Sequence, residues 1–505
     1  MKNRNIFTYV TSILVCFIVV YIFLFDKKLF LGGDNAFYYI LGKSINEGFG
    51  YRNIHMYGNP LANHFPPGYP LLISFAMWIS QSVLWIKAFN GFFMCGSLLL
   101  MFFIVRKITS NNLFACLSSL VVLFNGQIIR YSYVMMSEIP FLFFSLLTLY
   151  FVLKSDLRIN RYFIFSILSL IFTFYIRSQG VALLGGITLF YLFRKKWKMI
   201  GITIGSFVLG ILPWSIRGMN LGGNGYLNQI ILKNPYRPEL GVIELYGWIE
   251  RIIKNGLRYI SKEIPRSVLP SMNISQTAPS VWYHYVIGMV LILVFIYGIY
   301  TMNKKYQGLI IGYLGGQFGI QLLWPDVWFG IRFMLPIVPI IQFLILLGLF
   351  NLLFKHSNIS THDSGVRRRV LAMGIVLLFS LPSLKVLHLR KEMKWGLKYD
   401  HYFAMAKWCS THTPKDAVIA CRKPGLFYLY ANRKVSRFKN TNNAEELLTD
   451  LRKQHVSYIV IDRLGYSSTG RYLVPAVRNN IAQFKQVCHI GDPPTFLMKW
   501  DYIIK

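Results

Sequence analysis

The sequence predicts a multi-span α-helical membrane protein of about eleven transmembrane helices that ends in an extracytoplasmic α/β domain. Three observations predict it: long apolar runs almost free of charge, Lys and Arg gathered between those runs, and a change after residue 387 to short alternating β-rich and helix-like stretches. Of the 505 residues, 54% are hydrophobic and only 15% charged, where an ordinary soluble chain has about a quarter charged. That balance excludes a soluble globular protein.

The apolar runs cover 6–25, 86–105, 112–129, 138–153, 162–176, 179–193, 199–216, 283–302, 307–324, 333–354 and 370–387. A bilayer core of about 30 Å requires roughly 20 residues of helix, so 162–176 and 179–193 are short spans. The formal net charge of +34 lies to a large extent in the connecting segments: Lys2 and Arg4, Arg106 and Lys107, Lys154 to Arg161, Arg194 to Lys198, Lys304 and Lys305, and Arg367 to Arg369. Short loops rich in Lys and Arg stay cytoplasmic. The charge is therefore a topology signal, and no nucleic-acid partner is expected. With the N-terminus inside, one assignment places every basic loop in the cytoplasm and, the span count being odd, the C-terminus outside. The first run is too long for a signal peptide and no small-residue cleavage site follows it.

Three outside segments follow from that topology. The first, 26–85, holds LGGDNAFYYILGKSINEGFGY and HFPPGYP; Pro66 and Pro67 forbid helix and set a rigid turn that aims His64. The second, 217–282, carries Leu245, Ile249, Ile252, Ile253, Leu257, Ile260 and Ile264 at helical spacing, the stripe of a helix lying on a membrane surface. The third, 388–505, alternates the β-rich AVIAC, YIVID, FKQVCHI and TFLMKW with helix-like Asn443–Gln454 and Tyr472–Ala482, and is large enough to fold alone. Two domains result, 1–387 and 388–505. Cys16, Cys95 and Cys116 read as packing residues. Cys409 and Cys421 could pair in an oxidising space, and no cysteine spacing suggests a metal.

Acids are scarce: 20 in the whole chain, nine of them in the tail and four in 217–282. Asp26, Asp34, Glu47, Glu138 and Asp326 are left at or near the outer boundary, where an acid is costly unless paired or functional. Asp34 opens a helix-like run and is suited to capping it. Glu138 stands at the start of the fourth span with Ser137 as a candidate cap. As a pair the two carboxylates could hold a divalent cation. Arg177, Arg217 and Arg332 reach the same boundary; each could snorkel to headgroups, but together they suit forked binding of a phosphate on a lipid carrier. His64 could add a donor or carry a proton.

GGDNAFYYILGKSINEGFGY followed by HFPPGYPLL resembles the first outside loop of the GT-C superfamily of polyprenyl-phosphate-sugar glycosyltransferases. It is similar above all to bacterial relatives of the protein O-mannosyltransferases and of the lipid A aminoarabinose transferases. MSEIPF, YIRSQG, PWSIRG and IRFMLPIVP continue the likeness in order, as do RKPGLFYLYANRK and RYLVPAV in the tail. The resemblance implies inverting transfer of a sugar from a polyprenyl-phosphate donor to a hydroxyl of a lipid, glycan or protein, at the outer face of the plasma membrane. It implies Asp34 and Glu138 as catalytic, and Tyr38, His64, Arg177, Arg217 and Arg332 as substrate-binding. It implies no certain cofactor, a divalent cation at Asp34 and Glu138 being possible. Many relatives have Asp-Glu where this chain has Asp34-Asn35, and the aminoarabinose branch has Glu-Lys near Asn63-His64. The competing readings are an O-antigen polymerase or ligase and a transporter. The acid after the first span and the folded tail weigh against the former, and charge at one boundary without repeats weighs against the latter.

Overall fold

The computed structural model describes residues 2–32, 34–223, 225–272, 274–354, 374 and 380–501. The first ten apolar runs all coincide with helix, while the eleventh, 370–387, falls mostly outside the described residues. By length and composition, Ile6–Leu24, Val83–Thr109, Glu138–Ser155, Trp197–Asn220 and Trp282–Thr301 can each cross a membrane. A sixth span results if Asn112–Leu123 and Gly126–Tyr133, bent by 59°, count as one. Arg161–Ile176, Ser178–Leu192 and Val338–Leu353 are apolar but shorter. At 1.5 Å per residue, the 16 residues of Arg161–Ile176 reach only about 24 Å.

Small residues let these helices approach closely, as lipid-embedded helices must when no water drives them together. Ser178–Leu192 meets Lys304–Leu323 through Ala182 and Gly186 on one side and Gly312 and Gly316 on the other. A Cβ at Gly186 would lie 2.7 Å from the Tyr313 backbone nitrogen, so a larger residue would push the pair apart.

The segment 26–85, expected outside, is more ordered than its sequence suggests. It contains the helix Asp34–Asn46, an antiparallel bridge between Arg52 and Leu61, and the helix Gly68–Met77, which directly follows the rigid Pro66–Pro67 turn. A Cβ at Gly68 would fall 2.6 Å from the carbonyl carbon of Tyr175. That contact fixes the turn carrying His64 against the strand-like exit of Arg161–Ile176, which delivers Arg177.

In the second outside segment the helix Leu245–Arg258 is polar on its protein side. Arg251, 4% exposed, donates to the carbonyls of Ile230 and Leu232 at 2.6 and 2.7 Å, and Asn255 donates to those of Leu322 and Trp324. Leu245, Ile249, Ile253 and Leu257 are exposed. The stripe does not run through to Ile264: the backbone widens to a π-turn over Tyr259–Glu263 and Ile264 is buried.

The tail is a five-stranded mixed sheet: β1 (Val418–Ala420), β2 (Lys434–Ser436), β3 (Tyr458–Ile461), β4 (Phe484–Ile490) and β5 (Thr495–Trp500), in the order β2-β1-β3-β5-β4. β1 is parallel to β2 and to β3; β5 is antiparallel to β3 and β4. The four expected strands and the helix Ala444–Lys453 are present, and the second expected helix begins earlier, as a π-turn at Thr469. Strand β2 and the helices Leu397–His412 and Pro424–Ala431 have no counterpart in the sequence reading. Cys409 and Cys421 are buried free thiols rather than a disulfide.

The tail is docked on the segment 26–85. The Val435 N–H donates to the His55 carbonyl at 2.7 Å, and Lys434 Nζ donates to Ile54 O and Asn59 Oδ1, each at 2.6 Å. A Cβ at Gly425 would stand 3.2 Å from Ala36 Cβ, so the helix Pro424–Ala431 lies flush on Asp34–Asn46.

Candidate functional site

Four charged groups from four distant parts of the chain meet at one end of the helices. Asp34 is in the first turn of Asp34–Asn46, Glu138 begins Glu138–Ser155, Arg177 ends Arg161–Ile176, and Arg332 sits in the short helix Ile331–Met334. Arg332 donates through Nη2 to Asp34 Oδ2 at 2.7 Å and places Nε 3.5 Å from Glu138 Oε1. Arg177 Nη1 lies 2.9 Å from the same Glu138 oxygen. Two carboxylates and two guanidinium groups thus form one continuous network. Charge-assisted pairs of this kind hold geometry more firmly than neutral ones.

The members differ in openness. The Glu138 side chain is fully buried, whereas Asp34 and Arg332 keep 31% and 30% of their side-chain surfaces open. Glu138 is therefore the anchor that orients both arginines, and the Asp34–Arg332 pair forms the accessible wall of a recess. The cation site that the two acids could have made is taken by Arg332, whose guanidinium lies between them. Among the described residues no group of three or more His, Cys, Asp and Glu could hold a metal ion.

Ser137 is a positioning residue rather than the expected cap. It makes no side-chain capping bond; instead Arg177 donates to its Oγ at 3.0 Å, and Tyr38 Oη stands 3.0 Å from that oxygen. Tyr38 in turn packs against Phe65 and edge-on to Tyr69, with ring centroids 4.7 and 4.9 Å apart. Tyr69 donates to Asn90 Oδ1 at 3.0 Å, and Asn90 donates to the carbonyl of Met136 at 3.2 Å. The HFPPGYP turn and the MSEIPF segment are thereby tied to one buried frame. Tyr38 belongs to that frame.

Electrostatics set the protonation states. Burial would raise the Asp34 carboxyl, but the charge and hydrogen bond of Arg332, with Arg177 further off, outweigh it and hold the group below its ordinary value. Asp34 is a carboxylate throughout the neutral range and a weak base. Burial pushes His64 below its ordinary value; Asp34 opposes this and Arg437 adds to it. The imidazole is therefore neutral near pH 7 and able to accept a proton.

Arg217, expected in the same grouping, has a different task. It donates to the carbonyls of Ala62 and Tyr51, each at 3.1 Å, and stacks over the Tyr51 ring. It braces the loop just before His64. One residue escaped the sequence reading: Arg437, which follows β2 and lies within electrostatic range of Asp34, His64 and Arg422.

With this geometry established, known proteins can be compared. The family model for dolichyl-phosphate-mannose-protein mannosyltransferases matches residues 55–221, a stretch that includes His64, Glu138, Arg177 and Arg217 and leaves out Asp34 and Arg332. No curated protein matches the sequence. Among solved structures, ArnT from Cupriavidus metallidurans bound to undecaprenyl phosphate shares 10% identity, with 97% of this chain and 98% of that one covered and a TM-score of 0.62. The oligosaccharyltransferase AglB from Archaeoglobus fulgidus, in complex with an inhibitory peptide and a dolichol-phosphate, shares 12% identity over 97% of this chain and 74% of that one, with a TM-score of 0.58. At these identities the likeness is one of fold.

Proposed function

We propose that the chain is a membrane glycosyltransferase of the GT-C kind, a reading its fold supports, and that it transfers a sugar from a polyprenyl-phosphate donor to an acceptor hydroxyl at the outer face of the membrane, with inversion. The observation that carries this reading is the Asp34–Arg332–Glu138–Arg177 network, with its one open carboxylate. The acceptor oxygen attacks the anomeric carbon, the bond from that carbon to the phosphate oxygen breaks, and the lipid phosphate departs with the electron pair. Asp34, ionised and fixed by Arg332, accepts a hydrogen bond from the attacking hydroxyl and aims it. Neutral His64 is placed to take its proton. Arg332 presents positive charge where the leaving phosphate develops its own. The undecaprenyl phosphate of the ArnT structure and the dolichol-phosphate of the AglB structure support a lipid-linked donor.

This mechanism goes with eleven spans, a cytoplasmic N-terminus and a tail domain (388–505) outside, which covers the acceptor side. The test is mass spectrometry of envelope glycolipids, glycans and glycoproteins from cells lacking the gene. One sugar modification should disappear, return with the wild-type gene, and stay absent with Asp34→Asn expressed at equal level. Restoration by Asp34→Asn would defeat the assignment.

A further inference from the structure

The network at the membrane boundary carries no net positive charge, so Arg332 meets a phosphate with its charge already shared. Asp34 and Glu138 cancel Arg177 and Arg332, and His64 is neutral near pH 7. Uncompensated cations nearby would strengthen the hold on a donor phosphate beyond what Arg332 supplies.

The tail has them, at a place its topology singles out. β2, β1 and β3 are parallel neighbours, and the chain leaves β1 toward β2 on one side and β3 toward β4, beyond β5, on the other. In open α/β sheets a crevice opens outside the carboxyl ends of strands where successive connections diverge, and ligands bind there. Arg422 and Lys423 follow β1, Arg437 follows β2, and the segment after β3 brings Asp462 and Tyr466. Arg422 and Lys423 both stand over the Tyr466 ring, 4.5 and 4.7 Å from its centroid, and Tyr399 Oη is 3.2 Å from Tyr466 Oη. Arg422, Lys423 and Arg437 have no carboxylate within ion-pair distance among the described residues. The Nε of Arg422 is buried without a hydrogen-bond partner, and an orphaned buried donor calls for an acceptor. Asp462, the one acid in the crevice, accepts from Leu464 N–H and Thr469 Oγ1, so at least two positive charges remain uncompensated. The crevice faces the site: Arg437 is exposed yet lies within electrostatic range of both Asp34 and His64, and the helix after Lys423 rests on Ala36 and Phe37.

We infer that Arg422, Lys423 and Arg437 form a phosphate subsite of the tail that binds the phosphate of the polyprenyl carrier, so that the donor site is completed by the extracytoplasmic domain. The identity of the ligand rests on the transferase reading; the existence of the subsite does not. A guanidinium fork suits a phosphate, and the position beside Asp34 would hold the donor where its sugar meets the acceptor hydroxyl.

Binding of undecaprenyl phosphate to the full-length protein in lipid nanodiscs tests this, with undecaprenol as the phosphate-free control. Arg437→Ala and the pair Arg422→Ala/Lys423→Ala should each weaken undecaprenyl phosphate binding by about 10- to 100-fold, and Arg437→Lys should restore part of the loss. Lys439→Ala, in which the lost cation is already paired with Glu446, should leave binding intact. Wild-type affinity in both alanine variants, with unchanged thermal unfolding, overturns the subsite. If an alanine variant does not fold, salt titration of the wild type decides: binding of undecaprenyl phosphate but not of undecaprenol must weaken as salt rises, and salt-insensitive binding overturns it. A protein that binds the lipid through these cations yet transfers no sugar keeps the subsite and loses the transferase reading. Full transfer with unchanged binding in the variants does the reverse.

Discussion

Replacing Arg332 with Ala removes the direct partner of Asp34 and leaves Glu138 with Arg177 at 2.9 Å. Breaking a buried ion pair costs about 3–5 kcal/mol. Asp34 keeps 31% of its side chain open, so water softens the loss toward the roughly 2 kcal/mol of a hydrogen bond to a charged group. Losing that partner lets burial raise the Asp34 carboxyl. The sign follows from the wild type. There the carboxyl is held below 3.8 by Arg332 against burial, so the pair stabilises the fold fully above pH 3.8 and loses that contribution as pH falls through the lower folded value. In the variant burial is opposed only by the more distant charges, and Asp34 begins to protonate at a higher pH. The assay is the rate of sugar transfer against pH. His64 contributes an acid limb below pH 6.5 in both proteins, so the difference between the profiles reports Asp34. The acid limb of Arg332→Ala should move to higher pH, and Arg332→Lys should bring it part of the way back. Superimposable profiles would refute the coupling of Arg332 to Asp34.

Two further substitutions separate support from chemistry. Gly68→Ala would drive a Cβ to 2.6 Å from the Tyr175 backbone and should cost about 1–3 kcal/mol of overpacking, read as a lower unfolding temperature with reduced transfer; a fully stable, fully active variant would show that the turn adjusts freely. Arg217→Ala should lower stability by removing the donor to Tyr51 O and Ala62 O while leaving undecaprenyl phosphate affinity within about twofold; a large loss of lipid affinity without destabilisation would return Arg217 to the binding set.

What was legible in the sequence followed from scarcity. Acids are so few outside the tail that Asp34 and Glu138 stand out, and membrane topology alone carries Arg177 and Arg332 to the same boundary. Sequence could not show that Arg332 bridges both acids, because the partners are 298 positions apart and their meeting depends on helix packing. The contacts of Arg217 with Tyr51 O and Ala62 O were hidden for the opposite reason: an arginine at a helix end looks the same whether it serves a ligand or a loop carbonyl. The first ten apolar runs anticipated helices, the short Arg161–Ile176 included, because apolar composition marks a span whatever packs around it.

The tail cations were hidden by abundance. With 20 Lys and Arg in 388–505, no single one draws notice, and Arg422 and Arg437 are 15 positions apart. Their one signature is that each follows a short β-rich segment, AVIAC in one case and KVS in the other. Parallel pairing of β1 with β2 then carries both to the same edge. The membrane-boundary set is nearly neutral because low-dielectric surroundings penalise unpaired charge, so whatever net charge a phosphate requires has to come from a part of the chain that water can reach. A folded domain docked over the recess through Val435, Lys434 and Gly425 meets that requirement without placing an unpaired cation in the bilayer.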